Sequence, residues 1–321
     1  MVSIQYKKYA GIRYRQIADE VERTNFIKAW ETAFSRTLSP EMYLWIFNNG
    51  MNSLYAAFNE EKVVAGYCLL KYNALLNQKI FNAVLCNNVF VLHGYHDRDL
   101  FVKLGRFALK KAEKQGIKLA ISIPNRYAIM GHMRTGWTLL PRINFLERKR
   151  QDSGVEKRTD ARIVSLTSDN CSLFLNKIEE FSIEISKARS FSVIKDSLYF
   201  EWRYVSRPDV EYKIFVFMNK EDIAGYVVFK YYEVLNRLHI IDIEVIDEYV
   251  FNALLGIADS FPEPYSLVNI WETSIYKNYL MSSGFSVSQE FSHLLAIYPD
   301  KKDKVSLGDK VNFVIGDNDI F

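Results

Sequence analysis

The stretch "HGYHDRDLFVKLGRF" (His93–Phe107) decides how the first half of this chain is read. It has the pattern of a strand end, a tight polar loop and the start of a helix. Leu100, Phe101, Leu104, Phe107, Ala108 and Ala112 recur at spacings of three and four, which gives one buried stripe. Lys103, Arg106, Lys110, Lys111 and Lys114 cover the other faces, and Gly116 is the stop. A loop entering a helix N-terminus suits a phosphate, because free N–H groups and the helix dipole attract anions. Such loops are usually glycine-rich, since a missing Cβ lets a diphosphate reach the backbone. This loop carries Asp97 and Asp99 instead. Asp99 is expected to N-cap a helix beginning at Leu100, in the space a phosphate would take. Two like charges about 5 Å apart, at an effective dielectric near 20, repel by roughly 3 kcal/mol. His96, Arg98 and Lys103 are the residues that could offset this. Two readings stand: a cradle rebuilt around charge, or a relic in which Asp99 only caps.

Working outward, "NFIKAWETAF" (25–34) and "SPEMYLWIFNNG" (39–50) read as helices, the second opened by Ser39-Pro40 and closed near Gly50. "SLYAAFN", "VVAGYCLLKYNAL" and "KIFNAVLCNNVFVL" read as successive strands. "IKLAISIPN" reads as a strand, "RYAIMGHMRTG" as a helix and "WTLLPRINFLERK" as a final strand pair. An antiparallel meander followed by strand, helix, strand, helix, strand is an α+β domain. It is not a doubly wound one.

The chain also repeats itself. "AGYCLLKY" (65–72) returns as "AGYVVFKY" (224–231) at an offset of 159, each after a charged turn. "KLAISIPN…GW" (118–137) returns as "SLVNIWET…GF" (266–285) at an offset of 148. The shortfall of 11 falls where the first copy holds its loop and helix, so the phosphate loop is expected only in the first half. The charged stretch Glu147–Arg162 is the expected linker, giving domains of 1–150 and 160–321.

Bulk properties narrow the classes. The 321 residues are 49% hydrophobic and 25% charged, a globular composition. A net charge of +3 does not argue for nucleic acid. Cys68, Cys86 and Cys171 form no CxxC pair, so no zinc or redox signature exists and no metal is expected. No apolar run reaches a membrane span, and the N-terminus lacks a signal-length apolar segment. The expectation is a reduced, cytoplasmic protein. No Ser-His-Asp order and no HExxH supports a hydrolase.

Two segments resemble the GNAT superfamily of acyl-CoA-dependent N-acyltransferases. One is Tyr95-His96-Asp97-Arg98-Asp99-Leu100-Phe101, similar to the family's Tyr-Arg-Gly-Lys-Gly-Leu-Phe with both glycines replaced by aspartate. The other is Asn125-x-x-Ala128-x-x-x-His132-x-x-x-Gly136-Trp137, which keeps the family spacing but has His132 in place of Tyr and Trp137 in place of Phe. In the second half, "YFEWRYVSRPDVEY" (199–212) and "FVIGDNDIF" (313–321) resemble a tandem branch that acylates nucleotide-linked amino sugars, dTDP-3-amino-3,6-dideoxyhexoses among them.

The resemblance implies two tandem GNAT-like domains, each a mixed, mostly antiparallel sheet flanked by helices. It implies an acyl-CoA donor bound by His96, Asp97, Arg98, Asp99, Leu100, Phe101 and Asn125, with backbone N–H groups of Val89, Phe90 and Val91 polarising the thioester. It implies His132 as the acid that meets the departing thiolate. His132 also fits a packed helical histidine, Asn125 a plain cap, and His93 a structural residue. For the sugar nucleotide the candidates are Trp202, Arg203 and Tyr204, as a stacking face and phosphate clamp, with Asp317 and Asp319 on the sugar. The bland alternatives are an amphipathic helix with a buried Trp and a frayed acidic terminus. The implied role lies in surface-polysaccharide synthesis, and a homodimer is compatible with it. A non-catalytic tandem binding protein, and a transferase using aminoacyl-tRNA or another amine acceptor, stay open beside it.

Overall fold

The computed structural model describes residues 11–76, 78–96, 98–151, 162–272, 275–298 and 311–317. In chain order the first half gives β1 (Ile12–Gln16), α1 (Glu20–Phe34), α2 (Pro40–Phe47), β2 (Asn52–Asn59), β3 (Lys62–Leu76), β4 (Lys79–Val91), α3 (Arg98–Lys114), β5 (Leu119–Ser122), α4 (Ile129–Thr135), β6 (Thr138–Leu139) and β7 (Ile143–Lys149). The second half gives β8 (Ile163–Leu166), α5 (Leu175–Ser186), β9 (Phe191–Val193), α6 (Ser197–Phe200), β10 (Lys213–Asn219), β11 (Asp222–Tyr232), β12 (Arg237–Val245), α7 (Glu248–Asp259), β13 (Leu267–Trp271), α8 (Lys277–Ser282), β14 (Ser286–His293), β15 (Ala296–Tyr298) and β16 (Val311–Asn312).

Local chemistry sets the helix starts. Ser39 accepts from the Met42 N–H at 3.2 Å ahead of Pro40, as its sequence predicts. Helix α1 begins five residues before the expected Asn25, because Asp19 accepts from the Glu22 N–H at 2.9 Å while Glu22 reaches back to the Ala18 N–H at 3.2 Å. That pair is a capping-box variant, in which Glu22 reaches the N–H one residue before the N-cap.

The main path of the first sheet runs β1-β2-β3-β4-β5-β15-β6, with β9 joined to β3 and β16 to β9, and the second runs β8-β10-β11-β12-β13-β7-β14. Strand for strand these are the same order. Each main path has one parallel pair, β4–β5 and β12–β13, and the added β16–β9 pair of the first sheet is parallel too. The sequence repeat is therefore a structural one, and the class is α+β with two tandem GNAT-type folds.

The repeat differs from a simple head-to-tail arrangement in one respect. Strand β7, expected in the first domain, lies between β13 and β14 of the second sheet. Strand β15, from near the C-terminus, fills the same place between β5 and β6 of the first. The compact units are accordingly the described residues of Met1–Tyr72, Asn82–Pro141 and Leu294–Val305, and those of Asn73–Phe81, Arg142–His293 and Ser306–Phe321.

Two cores cover the faces of the first sheet. Tyr67, Val84, Cys86, Leu104 and Ala108 pack under α3, while Phe26, Trp30, Phe47, Phe58 and Phe90 pack under α1 and α2. The second unit has a core built on Val227, Ile243, Phe251 and Leu254 under α7.

The repeat glycines have a steric reason. A Cβ on Gly66 would stand 2.6 Å from the Phe26 ring and closer still to Phe90. A Cβ on Gly225 would stand 2.7 Å from Val250 and 2.8 Å from the Glu244 carbonyl oxygen. Overpacking of this kind costs about 1–3 kcal/mol. Gly66→Ala and Gly225→Ala should each lower the unfolding free energy by that amount, read as a lower urea midpoint at unchanged slope. An unchanged midpoint would contradict the packing described.

Candidate active site

The site grows from the place where β4 and β5 part. Their parallel ladder pairs Ala83 with Leu119 through Cys86 with Ser122, and then stops. Strand β5 ends there, while β4 runs on to Val91. Within that free end Asn88 has φ 48°, a left-handed conformation rarely adopted by a residue other than glycine. The Trp30 indole donates to Asn88 Oδ1 at 3.0 Å and holds the irregularity. The following residues are Val89, Phe90 and Val91, which lie beyond the last β4–β5 pair. Phe90 is buried, and Val89 and Val91 are half-buried. Val91 O accepts from His96 Nε2 at 2.9 Å, which folds the loop back onto the strand.

Helix α3 points its N-terminus at this loop. It begins at Arg98 rather than Leu100, so Asp99 sits in the first turn and is not the N-cap. An acidic residue there suits the positive end of the helix. Its carboxylate is also paired, since Arg134 Nη2 of α4 lies 2.5 Å from Asp99 Oδ1. The expected repulsion of a phosphate by Asp99 is thereby offset by a cation that the sequence reading did not name. Arg106 of α3 donates to the Arg134 carbonyl at 2.7 Å, tying the two helices further. Asp97 and the Arg98 side chain lie outside the described residues. Leu100 is a buried core residue. Phe101 lies over Gly131, where a Cβ would come within 2.6 Å of its ring.

His132 is interior. It is 2% exposed, with ring centroids 5.0 Å from Trp137, 5.4 Å from Phe101 and 6.5 Å from Tyr67, and its Nδ1 has no hydrogen-bond partner. Burial lowers its pKa from 6.5 to about 4. A neutral, buried imidazole does not suit an imidazolium donor near pH 7. Asn125 Oδ1 accepts from the Tyr127 and Ala128 N–H groups at 3.0 Å each, so it caps the turn into α4.

On the other face of β4, Phe34 is 46% exposed and packs tilted at 42° against Trp30, 4.9 Å between centroids, and edge-on at 6.3 Å to Phe90. This aromatic ledge adjoins Asn88. Strand β4 itself carries no Asp or Glu.

The second-half candidates are elsewhere and otherwise engaged. Trp202, Arg203 and Tyr204 lie in a π-helical turn, Glu201–Val205, and all three are buried. Arg203 donates to the Gly316 carbonyl at 2.8 Å and to the Tyr212 hydroxyl at 2.7 Å, and the Tyr204 hydroxyl donates to Asp242 at 2.7 Å. A phosphate clamp needs an accessible guanidinium, and this one serves the interior. Asp317 is likewise buried, pairing with Lys195 and accepting from the Val314 N–H at 2.9 Å. Asp319 lies outside the described residues. Among the described residues no cluster of three metal-ligating side chains occurs, and no helix is long and apolar enough to cross a membrane.

Residues 13–140 match the acetyltransferase (GNAT) domain family. Solved structures share the fold over most of the chain. A probable N-acyltransferase from Enterococcus faecalis V583 is 15% identical at TM-score 0.72, covering 89% of this chain and 72% of its own. GCN5-related N-acetyltransferases from Kribbella flavida (13%, TM-score 0.66, 90% and 71%) and Anabaena variabilis (12%, TM-score 0.71, 89% and 72%) are similar. At these identities the likeness is one of fold. No curated protein matches the sequence. The match over residues 13–140 and the shared fold support an acyltransferase of the GNAT type, and GNAT domains use acyl-CoA.

Two outcomes check this geometry. Arg134→Ala should remove the Arg134 cation from Asp99 and weaken CoA binding about fivefold, an effect of roughly 1 kcal/mol. Asp99→Asn in that background should restore it, and a calorimetric titration showing no recovery would refute the pairing. Because the folded pKa of His132 lies below its ordinary 6.5, its neutral burial favours the fold fully above pH 6.5 and is lost as pH falls toward 4. His132→Phe should therefore flatten the stability curve between pH 6.5 and 4; an unaltered acid limb would speak against a buried neutral imidazole.

Proposed function

We propose that the chain is an N-acyltransferase that moves an acyl group from acyl-CoA to the amino group of a nucleotide-linked amino-deoxy sugar. The observation that carries the donor side is the parting of β4 from β5 beyond Cys86 and Ser122, beside the N-terminus of α3. A diphosphate would meet the first-turn N–H groups of α3, and the thioester would lie along Val89–Val91.

The amine attacks the thioester carbonyl, the C–S bond breaks, and CoA leaves as the thiol with the proton the amine gives up. With His132 neutral, that proton is passed to sulfur without an imidazolium donor. The lack of a carboxylate on β4 suits an acceptor amine that is already deprotonated in part near neutral pH. Phe34, exposed and backed by the buried Trp30 and Phe90, offers a face for a base or a sugar ring. The amino-sugar acceptor itself is supported by the sequence resemblance at 199–212 and 313–321; Trp202, Arg203, Tyr204 and Asp317 within them are buried and contribute to the fold rather than to an exposed clamp.

The test is release of CoA thiol from acetyl-CoA and 3-hydroxybutanoyl-CoA, with dTDP-amino sugars and simple amines as acceptors. The reading predicts acceptor-dependent thiol release and a product heavier by one acyl group. CoA binding without turnover on any amine would support the non-catalytic reading instead. Turnover on simple amines alone would retain the transferase and discard the nucleotide sugar.

A further inference from the structure

We infer that the second unit's strand cleft is held closed by the chain's own C-terminal segment, 311–317, which lies where an acyl-CoA arm would lie in the first. The chain would then bind one acyl-CoA and not two. The occupancy of the second cleft stands on that unit alone, and the stoichiometry rests on the function proposed above.

Strands β12 and β13 are the repeat partners of β4 and β5, and they part in the same way. Their parallel pairing covers Arg237–His239 against Leu267–Asn269, after which β12 continues to Val245 and β13 to Trp271. The segment touches both free ends. The Phe313 ring stacks on Trp271 at 5.8 Å and 19°. Asn312 Nδ2 donates to Glu244 Oε1 of β12 at 2.5 Å, and Val311–Asn312 adds a parallel strand to Phe191–Ser192. Lys195 pairs with Asp317 and lies 3.8 Å from Asp242 of β12.

The interior of this cleft is built for a peptide. Arg189 pairs with Glu244, Lys195 with Asp317 and Asp242, and Arg203 donates to the Gly316 carbonyl, all of these side chains buried. Buried ions are tolerated when they are paired and hydrogen-bonded, and removal of one partner is costly. Without the segment Lys195 would lose Asp317, Glu244 would lose the Asn312 amide, and Arg203 would lose the Gly316 carbonyl. The phosphate end is closed too. Only Ile246 and Asp247 join β12 to α7, and Asp247 Oδ1 accepts from the Val250 N–H at 2.9 Å, so a carboxylate already caps the helix. The counterpart between β4 and α3 spans Leu92–Asp97.

Gly316 gives a lever. A Cβ there would fall within contact of the Tyr204 hydroxyl and 2.9 Å from its Cζ. Hydrogen exchange on the full chain should show the 311–317 amides exchanging roughly a hundredfold slower than in an unstructured peptide. Gly316→Ala should raise their exchange about tenfold or more with α3 unaffected, and adding Tyr204→Phe should recover part of the protection. Peptide-like exchange in the wild type, or no change in a folded Gly316→Ala, would overturn the inference. If that variant does not fold, the wild-type exchange and equilibrium dialysis with CoA decide. One CoA per chain supports a closed second cleft and two overturn it. No CoA at all would count against the first-cleft reading while the exchange result still judges the second.

Discussion

Everything proposed for the first unit depends on one backbone constraint: β4 and β5 pair in parallel for four residues and then separate. Two strands that stayed paired would satisfy each other's N–H and C=O groups and leave nothing for a ligand. The separation is fixed by short β5, by the left-handed Asn88 in β4, and by the Trp30 indole that holds Asn88 in place. The same device occurs in the second unit, between β12 and β13, and there the chain supplies its own peptide to fill it.

Charge is handled differently in the two copies. In the first, Asp99 sits at a helix start beside the expected anion and is matched by Arg134, with both side chains partly exposed. In the second, three cations and three carboxylates are buried together, a composition that suits a sealed interior better than an exchangeable anion. Burial raises the Asp242 carboxyl well above its ordinary range, against the pull of Lys195. The divergence of the copies is thus legible as one open and one closed version of the same cleft.

Much of this was readable in the sequence. The Gly66 and Gly225 segments gave the repeat, because both positions face rings or backbone that exclude a Cβ. The missing 11 residues are largely the shorter β12–α7 connection and a shorter helix. The strand exchange was not readable, because β7 and β15 have ordinary strand patterns that do not say which sheet they join. Arg203 misled for a related reason. A Trp-Arg-Tyr run looks like a clamp until Gly316 and Tyr212, distant in sequence, are seen to take its hydrogen bonds. Asn88 and Arg134 were missed because neither belongs to a motif. The alternation in "IIDIEVID" (240–247) was the available hint of buried acids on β12.

The most direct test of the central claim is differential hydrogen exchange of the full chain with and without CoA. The account predicts slower exchange at Val89–Val91 and in the first turn of α3, with β12 and its connection to α7 unchanged. Protection at 240–247 instead, or at neither place when CoA is bound, would contradict it.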